Sequence, residues 1–251
     1  MAAYERVLVE IVGPVGTVTL NRPERRNAFD RDTCADLLDA LRMLVEAEPV
    51  RVVCVTGAGK GFCAGADLSV LEAQGPALVE AGREIALTIR SAPKPVLAVV
   101  NGAAAGGGAN LALACDYRLA SEQASIGQVF HRLGLTVDWG GSFFLPRLVG
   151  ISRALELVWS ARMVPAAEAL ALGLFDRVVP HDRLAVEARA LAELWASFPA
   201  LAVRRAKEAL YRSEQSTLAE MLDVEMAQQN ELFATPEARR RLAQALSPRS
   251  G

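Results

Sequence analysis

The chain has 251 residues, 52% of them hydrophobic and 22% charged, with a formal net charge of −2. That balance describes a globular chain with a sizeable core, and it supplies no positive field for collecting nucleic acid. No apolar run is long enough to span a bilayer, and the opening residues lack the basic stretch and small-residue site of a secretory leader, so a cytoplasmic protein with no membrane or nucleic-acid partner is expected.

Four cysteines, Cys34, Cys54, Cys63 and Cys115, lie among apolar or small residues without metal-ligand spacing. They are expected to be buried free thiols. With only His131 and His181 available, a histidine-based metal site or triad is not expected.

In chain order, Val7–Val12 and Thr17–Leu20 flank Gly13-Pro14-Val15-Gly16 and predict a hairpin. The polar loop Asn21–Asn27 holds Arg22, Arg25 and Arg26. Asp30 stands where it would cap a helix carrying Leu37, Leu38, Leu41, Leu44 and Val45 at helical spacing. The apolar run Val50–Thr56 predicts a strand buried on both faces, and strand–helix–strand suggests a crossover unit. A glycine-rich turn follows, Gly57 to Leu68. A helix is expected from Pro76 to Ile89, ended by Pro93 and Pro95, and Val96–Val100 predicts the next strand.

The stretch Asn101–Asp116 then places Gly102, Gly106, Gly107 and Gly108 ahead of an apolar helix former. A helix opening on glycines presents unpaired backbone N–H groups, with no Cβ to hold a ligand off. Neither the dinucleotide fingerprint nor the P-loop pattern is present. Two such turns in one chain can bring one N–H each to a common point, which is what an oxyanion hole requires.

Tyr117–Ala120 predicts a short strand, and Ser125–Trp139 has little periodicity. Helices are expected over Phe143–Val149 and Ala154–Ser160, another is expected to begin with Pro165 at its first position, and Phe175–Val179 predicts a late strand. Beyond it the chain reads as four helices, about 183–197, 200–212, 216–233 and 236–246. This shift in composition divides the chain into an α/β part, 1–181, and a helical region, 182–251. The basic run Arg239–Arg241 reads as a solvated helix face.

Several pieces in register resemble the crotonase (enoyl-CoA hydratase/isomerase) superfamily. They are Leu20-Asn21-Arg22-Pro23 with Asn27-Ala28, Gly61-Phe62-Cys63-Ala64-Gly65-Ala66-Asp67-Leu68, Asn101-Gly102 with Ala105-Gly106-Gly107-Gly108, Cys115-Asp116-Tyr117, and Gly134 with Gly140-Gly141. The resemblance spans residues 7–180. The closing Glu-Gly and Lys-Arg-x-Pro-x-Phe elements of the family are missing from the helical tail. The resemblance implies an α/β spiral of ββα units, a C-terminal helical trimerisation region, assembly as a homotrimer or dimer of trimers, and an acyl-CoA thioester as substrate with no separate cofactor. It also implies an oxyanion hole made by the N–H groups of Ala66 and Gly107. Around it, substrate contacts are expected from Ala64, Asp67, Leu68, Asn110, Phe130 and Trp139. Arg25 or Arg26 would face the CoA phosphates, unless both belong to a solvated loop.

The departure from the family pattern concerns the two glutamates with which its hydratases hold water. Their positions read Asn110 and Phe130, neither of which can serve as a base. Asp138 is the carboxylate left in that neighbourhood, and its apolar neighbours Phe130, Trp139, Phe143 and Phe144 would raise its pKa toward a value useful for proton transfer. The same residue ahead of Gly140-Gly141 also fits a helix N-cap. Three readings stay open: an isomerase with Asp138 as acid and base, an enzyme with Asp138 as nucleophile, and an inactive CoA-binding subunit. The runs Ala104–Asp116, Gly134–Asp138 and Leu145–Gly150 are most similar to the ring-1,2-epoxyphenylacetyl-CoA isomerase branch, which favours the first.

Overall fold

The structure, a computed structural model, describes residues 4–246. Its first half alternates between two sheets. Strands β1 (Val7–Val12), β2 (Val15–Leu20), β3 (Val52–Gly57), β5 (Val96–Val100), β7 (Tyr117–Ser121) and β10 (Arg177–Val179) form a six-stranded sheet in that order. Only the β1–β2 hairpin is antiparallel, with Val12 opposite Val15, so the second strand starts two residues earlier than predicted. The remaining pairs run parallel, for example Val18 beside Val55, Val55 beside Ala98 and Val99 beside Leu119. A second sheet is made of three-residue strands, β4 (Gly61–Cys63), β6 (Ala103–Ala105), β8 (Ser125–Gly127) and β9 (Met163–Pro165), in that order.

The pairs β3/β4, β5/β6 and β7/β8 therefore each place one strand in each sheet. Helix α1 (Arg31–Glu46) precedes them, and α2 (Leu71–Ser91) and α3 (Gly107–Ala114) follow the first two pairs. This is the spiral of ββα units that the resemblance implies.

Apolar alternation explains why β3 and β5 are buried on both faces. Val53, Val55, Val96 and Ala98 enter the main core with Leu37, Leu41 and Leu44 of α1 and Ile85 and Ile89 of α2. Val52, Cys54, Leu97 and Val99 face the other way, against Leu184, Ala188 and Ala192 of α7 (Leu184–Ala196). The first helix after residue 181 thus covers the back of the large sheet. Helix α8 (Ala200–Arg212) is pinned by Lys207, which donates to Ile89 O, Lys94 O and Asp116 Oδ2 at 3.1, 3.1 and 2.8 Å, and by the Tyr211 hydroxyl, which donates to Asp116 Oδ1. Helices α9 (Leu218–Ala234) and α10 (Pro236–Leu246) follow, the former opened by a reciprocal Thr217–Glu220 capping box.

Helices α4 (Gly141–Val149) and α5 (Ile151–Ser160) start two and three residues earlier than expected, and two further helix starts differ around prolines. Helix α2 begins at Leu71, with Pro76 inside it. The missing N–H costs one bond in the second turn, and the start is held by Gln74, whose N–H donates to Val70 O and whose Oε1 accepts from Arg31 N. Pro165 is extended, ends the edge strand β9 and precedes α6 (Ala166–Leu172) as its N-cap, an edge position where no N–H is needed. Between them, α4 and α5 are separated by Gly150 at φ 78°. All four cysteines are free and buried, and burial raises their thiols, Cys34 and Cys54 to about 12.

Candidate active site

The site is assembled where the spiral brings its two glycine turns together. Phe29 and Ala66 form an isolated parallel bridge, with Phe29 N donating to Gly65 O at 2.7 Å and Asp67 N donating to Phe29 O at 2.8 Å. In such a bridge the bonds use the neighbours of Ala66, so its own N–H points away from Phe29. That N–H has no partner among the described residues. Gly107 is the first residue of α3, and its N–H likewise has no partner there, since the first bond into the helix is Asn110 N to Gly106 O.

The two turns touch. A Cβ on Gly65, which lies at φ 86°, would sit 2.7 Å from Ala105 O and 3.4 Å from Gly107 N. Glycine at 65 thus lets the Ala66 and Gly107 donors sit side by side, and Gly106, at φ 53° and ψ −122°, makes the turn that aims the second. A pair of free backbone donors at the positive end of a helix is suited to a developing oxyanion.

The chain around residue 66 is braced by a residue that sequence reading passed over. Arg22 is buried, donates to Ala28 O at 2.7 Å, and pairs with Asp30 and Asp67 at 3.1 Å each. Asp67 also accepts from the Ser69 N–H and hydroxyl; these bonds and the Arg22 guanidinium hold its carboxyl below the usual range against the cost of burial. Asp67 is thereby part of the scaffold, not an open substrate contact. Asp30 does cap α1 as expected, through Thr33 N at 2.8 Å. The N–H of Ala64 is spent on Arg26 O at 3.0 Å, which sets the Arg25–Arg26 loop beside the hole. Both arginines are exposed, and neither has an ion-pair partner among the described residues. Leu68 is exposed next to them, as an apolar contact at the mouth would be.

Asp138 stands just ahead of α4, next to Trp139. It does not cap α4, whose N-cap is Gly140 without a side-chain bond. Its Oδ1 is sealed from solvent and has no hydrogen-bond partner among the described residues. Desolvation pushes its pKa up to about 6, with only its own N–H opposing. Trp139, expected to touch substrate, is core instead. Its ring stacks on Phe29 with centroids 4.4 Å apart, and its Nε1 donates to Leu78 O of α2 at 3.1 Å. This packing depends on Gly82, where a Cβ would fall 2.1 Å from the indole ring. The same ring lies 3.5 Å from the Cβ position of Gly107 and so forms the floor beneath that donor. Phe130 is buried behind the glycine turn, its ring 3.7 Å from the Cβ position of Gly106.

Asn110 is also committed. Its Oδ1 accepts from Gln128 Nε2 and its Nδ2 donates to the Asp138 carbonyl, both at 2.8 Å, so each polar atom of this wholly buried amide has a protein partner. Sequence reading missed Gln128 and Gly82. The first had a signal, a lone amide after the short apolar and glycine run Ser125–Gly127. The second had none, because its partner ring lies 57 residues away in the chain.

What the geometry defines is an α/β spiral with two free backbone donors on touching turns and a half-buried, unpaired carboxylate, Asp138, on the segment whose Trp139 ring packs against Gly107. A hole of this kind belongs to enzymes that hold negative charge on a carbonyl oxygen. The sequence profile of enoyl-CoA hydratase/isomerase matches residues 10–246. A probable enoyl-CoA hydratase of Rhizobium meliloti (strain 1021) is 41% identical, with 98% of this chain and 97% of that protein covered. The 1,2-epoxyphenylacetyl-CoA isomerase of Escherichia coli (strain K12) is 35% identical at the same coverage. The crystal structure of an enoyl-CoA hydratase from Bacillus anthracis superposes with a TM-score of 0.92 at 36% identity, over 95% of both chains. The chain belongs to the enoyl-CoA hydratase/isomerase family and is an enzyme of acyl-CoA thioesters.

Proposed function

We propose that the protein is an acyl-CoA isomerase in which Asp138 is the acid and base and the N–H groups of Ala66 and Gly107 hold the thioester oxygen. The observation that carries this reading is the Asp138 carboxylate: half-buried, with Oδ1 unpartnered among the described residues, and next in the chain to Trp139, whose ring lies 3.5 Å from the Cβ position of Gly107. For a 3-enoyl-CoA, Asp138 takes a proton from C2 and the electron pair moves through the carbonyl to give a dienolate. Its oxygen lies in the hole. The protonated Asp138 then returns the proton to C4, and the double bond moves to C2–C3 with no net loss of atoms. A base with a pKa near 6 takes up a proton and gives it back near neutrality with little penalty in either direction.

A hydratase is the second reading, favoured by the name of the Rhizobium meliloti relative. Incubating wild type and Asp138→Asn with a 3-enoyl-CoA and with crotonyl-CoA in deuterated water separates the two. Isomerisation and solvent deuterium uptake lost together in the variant, with slow hydration in wild type, support the isomerase. Fast hydration that survives Asp138→Asn overturns it. We further propose assembly as a trimer or a dimer of trimers. Ile151, Leu155 and Trp159 line one face of α5, all exposed, as are Leu218, Leu222 and Phe233 of α9, more apolar surface than a lone protomer ordinarily shows; light scattering tests the mass.

A further inference from the structure

Resting on the reading of Asp138 as the acid–base group, we propose that Asn110 and Gln128 are positioning residues, a buried amide chain that fixes the main chain at Asp138 and so aims its carboxylate at the oxyanion hole. The chain runs from Gln128, just after β8, through Asn110 of α3 to the carbonyl of Asp138, with both bonds at 2.8 Å. The Asp138 carbonyl also accepts from Gly141 N at 2.8 Å, so two donors hold it. Gly141 leaves room for the amide, since a Cβ there would lie 2.5 Å from Asn110 Nδ2.

The segment so held is one that needs holding. Trp139 lies at φ 48° and Gly140 at φ 81°, and a bulky residue in the left-handed region persists only where its surroundings fix it. Trp139 is fixed on its far side by Phe29 and Leu78; Asn110 fixes the near side. Space-filling does not explain the two amides. Asn110 is wholly buried, and Gln128 is 2% exposed with an Oε1 that has no partner among the described residues. A buried amide with an unmade bond is costlier than an aliphatic side chain of similar size. No charged group sets the Asp138 carboxyl: His131 and Arg132 before it, Arg147 on α4, and Glu80, Arg83 and Glu84 on α2 leave desolvation as the governing influence.

The test uses Gln128→Met and the double variant Asn110→Leu with Gln128→Met. Replacing both partners of a buried bond by apolar groups of like shape leaves stability nearly unchanged, so a merely structural role predicts little effect. Positioning predicts a fall in kcat of about 10–100-fold with KM little changed. It also predicts that the midpoint of the pH–rate profile for deuterium exchange drops from about 6 toward the ordinary aspartate value near 4. ¹³C NMR titration of labelled aspartate, assigned with Asp138→Asn, reads the same midpoint without turnover. Gln128→Met alone is expected to move both readouts in the same direction by less, and it carries the test if the double variant does not fold. Wild-type kcat and midpoint in the folded variants overturn the proposal. If Asp138→Asn itself stays active, the acid–base reading has failed; if it is dead while the amide variants behave as wild type, only the positioning has failed.

Discussion

A carboxyl group whose pKa is raised by folding burdens the native state at every pH above that value, so Asp138→Asn is expected to stabilise the protein at neutral pH while disabling it. Folding moves Asp138 from 3.8 to about 6. Between those values the native state binds more protons than the unfolded chain, so stability falls as pH rises through the interval and the deficit is complete above it. Two pKa units correspond to about 3 kcal/mol for a fully desolvated group. Asp138 is only partly buried, and solvent screening reduces this to about 1–2 kcal/mol. For a chain of this size that is a Tm gain of about 3–6 °C. The gain should be full at pH 8, largely gone at pH 4, where the folded carboxyl is already protonated, and absent only below the unfolded value of 3.8. Thermal melts of both proteins across that range, at one protein concentration, check the sign and the window. Equal melting temperatures at pH 8, or a difference independent of pH, would refute the desolvated carboxylate and with it the physical basis for the raised pKa.

Gly107→Pro removes one donor at a helix position where proline fits and is expected to lower kcat about 10²–10³-fold, whereas Gly107→Ala, whose Cβ meets Trp139 at an ordinary 3.5 Å, should retain most activity; steady-state kinetics on one acyl-CoA compare them. Gly82→Ala drives a methyl into the Trp139 ring and is expected to cost about 1–3 kcal/mol, read by denaturant unfolding and by a shifted tryptophan emission. Changing Arg25 and Arg26 together to alanine should weaken binding of an acyl-CoA, most at low salt, and leave binding of the phosphate-free pantetheine thioester unaltered, as measured by calorimetry.

The large sheet was legible because its strands are runs of branched residues, Val52–Val55 and Val96–Val100, buried on both faces. The second sheet was not. Its strands are three residues each of glycine, alanine, serine and a few larger residues, with too little length for a period to register. Glycine reads as turn, yet Gly108 of α3 serves close packing of that helix on β4, since a Cβ would lie 2.3 Å from Cys63 O. The roles proposed for Ala66, Gly107 and Asp138 come from the family resemblance in the sequence, and the structure adds that both N–H groups and Asp138 Oδ1 lack partners among the described residues. The commitments of Asn110, Asp67 and Trp139 could not be read from the sequence, because each is decided by a partner distant in sequence: Gln128, Arg22 and Gly82.

Those commitments bear on why a single-carboxylate site is self-consistent. On the proposed reading, the position that would hold one of two water-binding glutamates is occupied by an amide that donates to the Asp138 carbonyl. A glutamate there would lose that donor and, when ionised, set negative charge against a carbonyl oxygen, while Gln128 would still offer its Nε2 from behind. The second position, Phe130, backs the glycine turn at Gly106 with its ring, and a carboxylate in its place would be partly desolvated and would lift Asp138 further by like charge. Neither exchange is therefore local. On the same reading Asn110 and Phe130 belong to one arrangement with the half-buried Asp138: the first donates to its backbone carbonyl, the second backs the turn at Gly106, and both would favour a proton carried by one group between two carbons over a proton drawn from water.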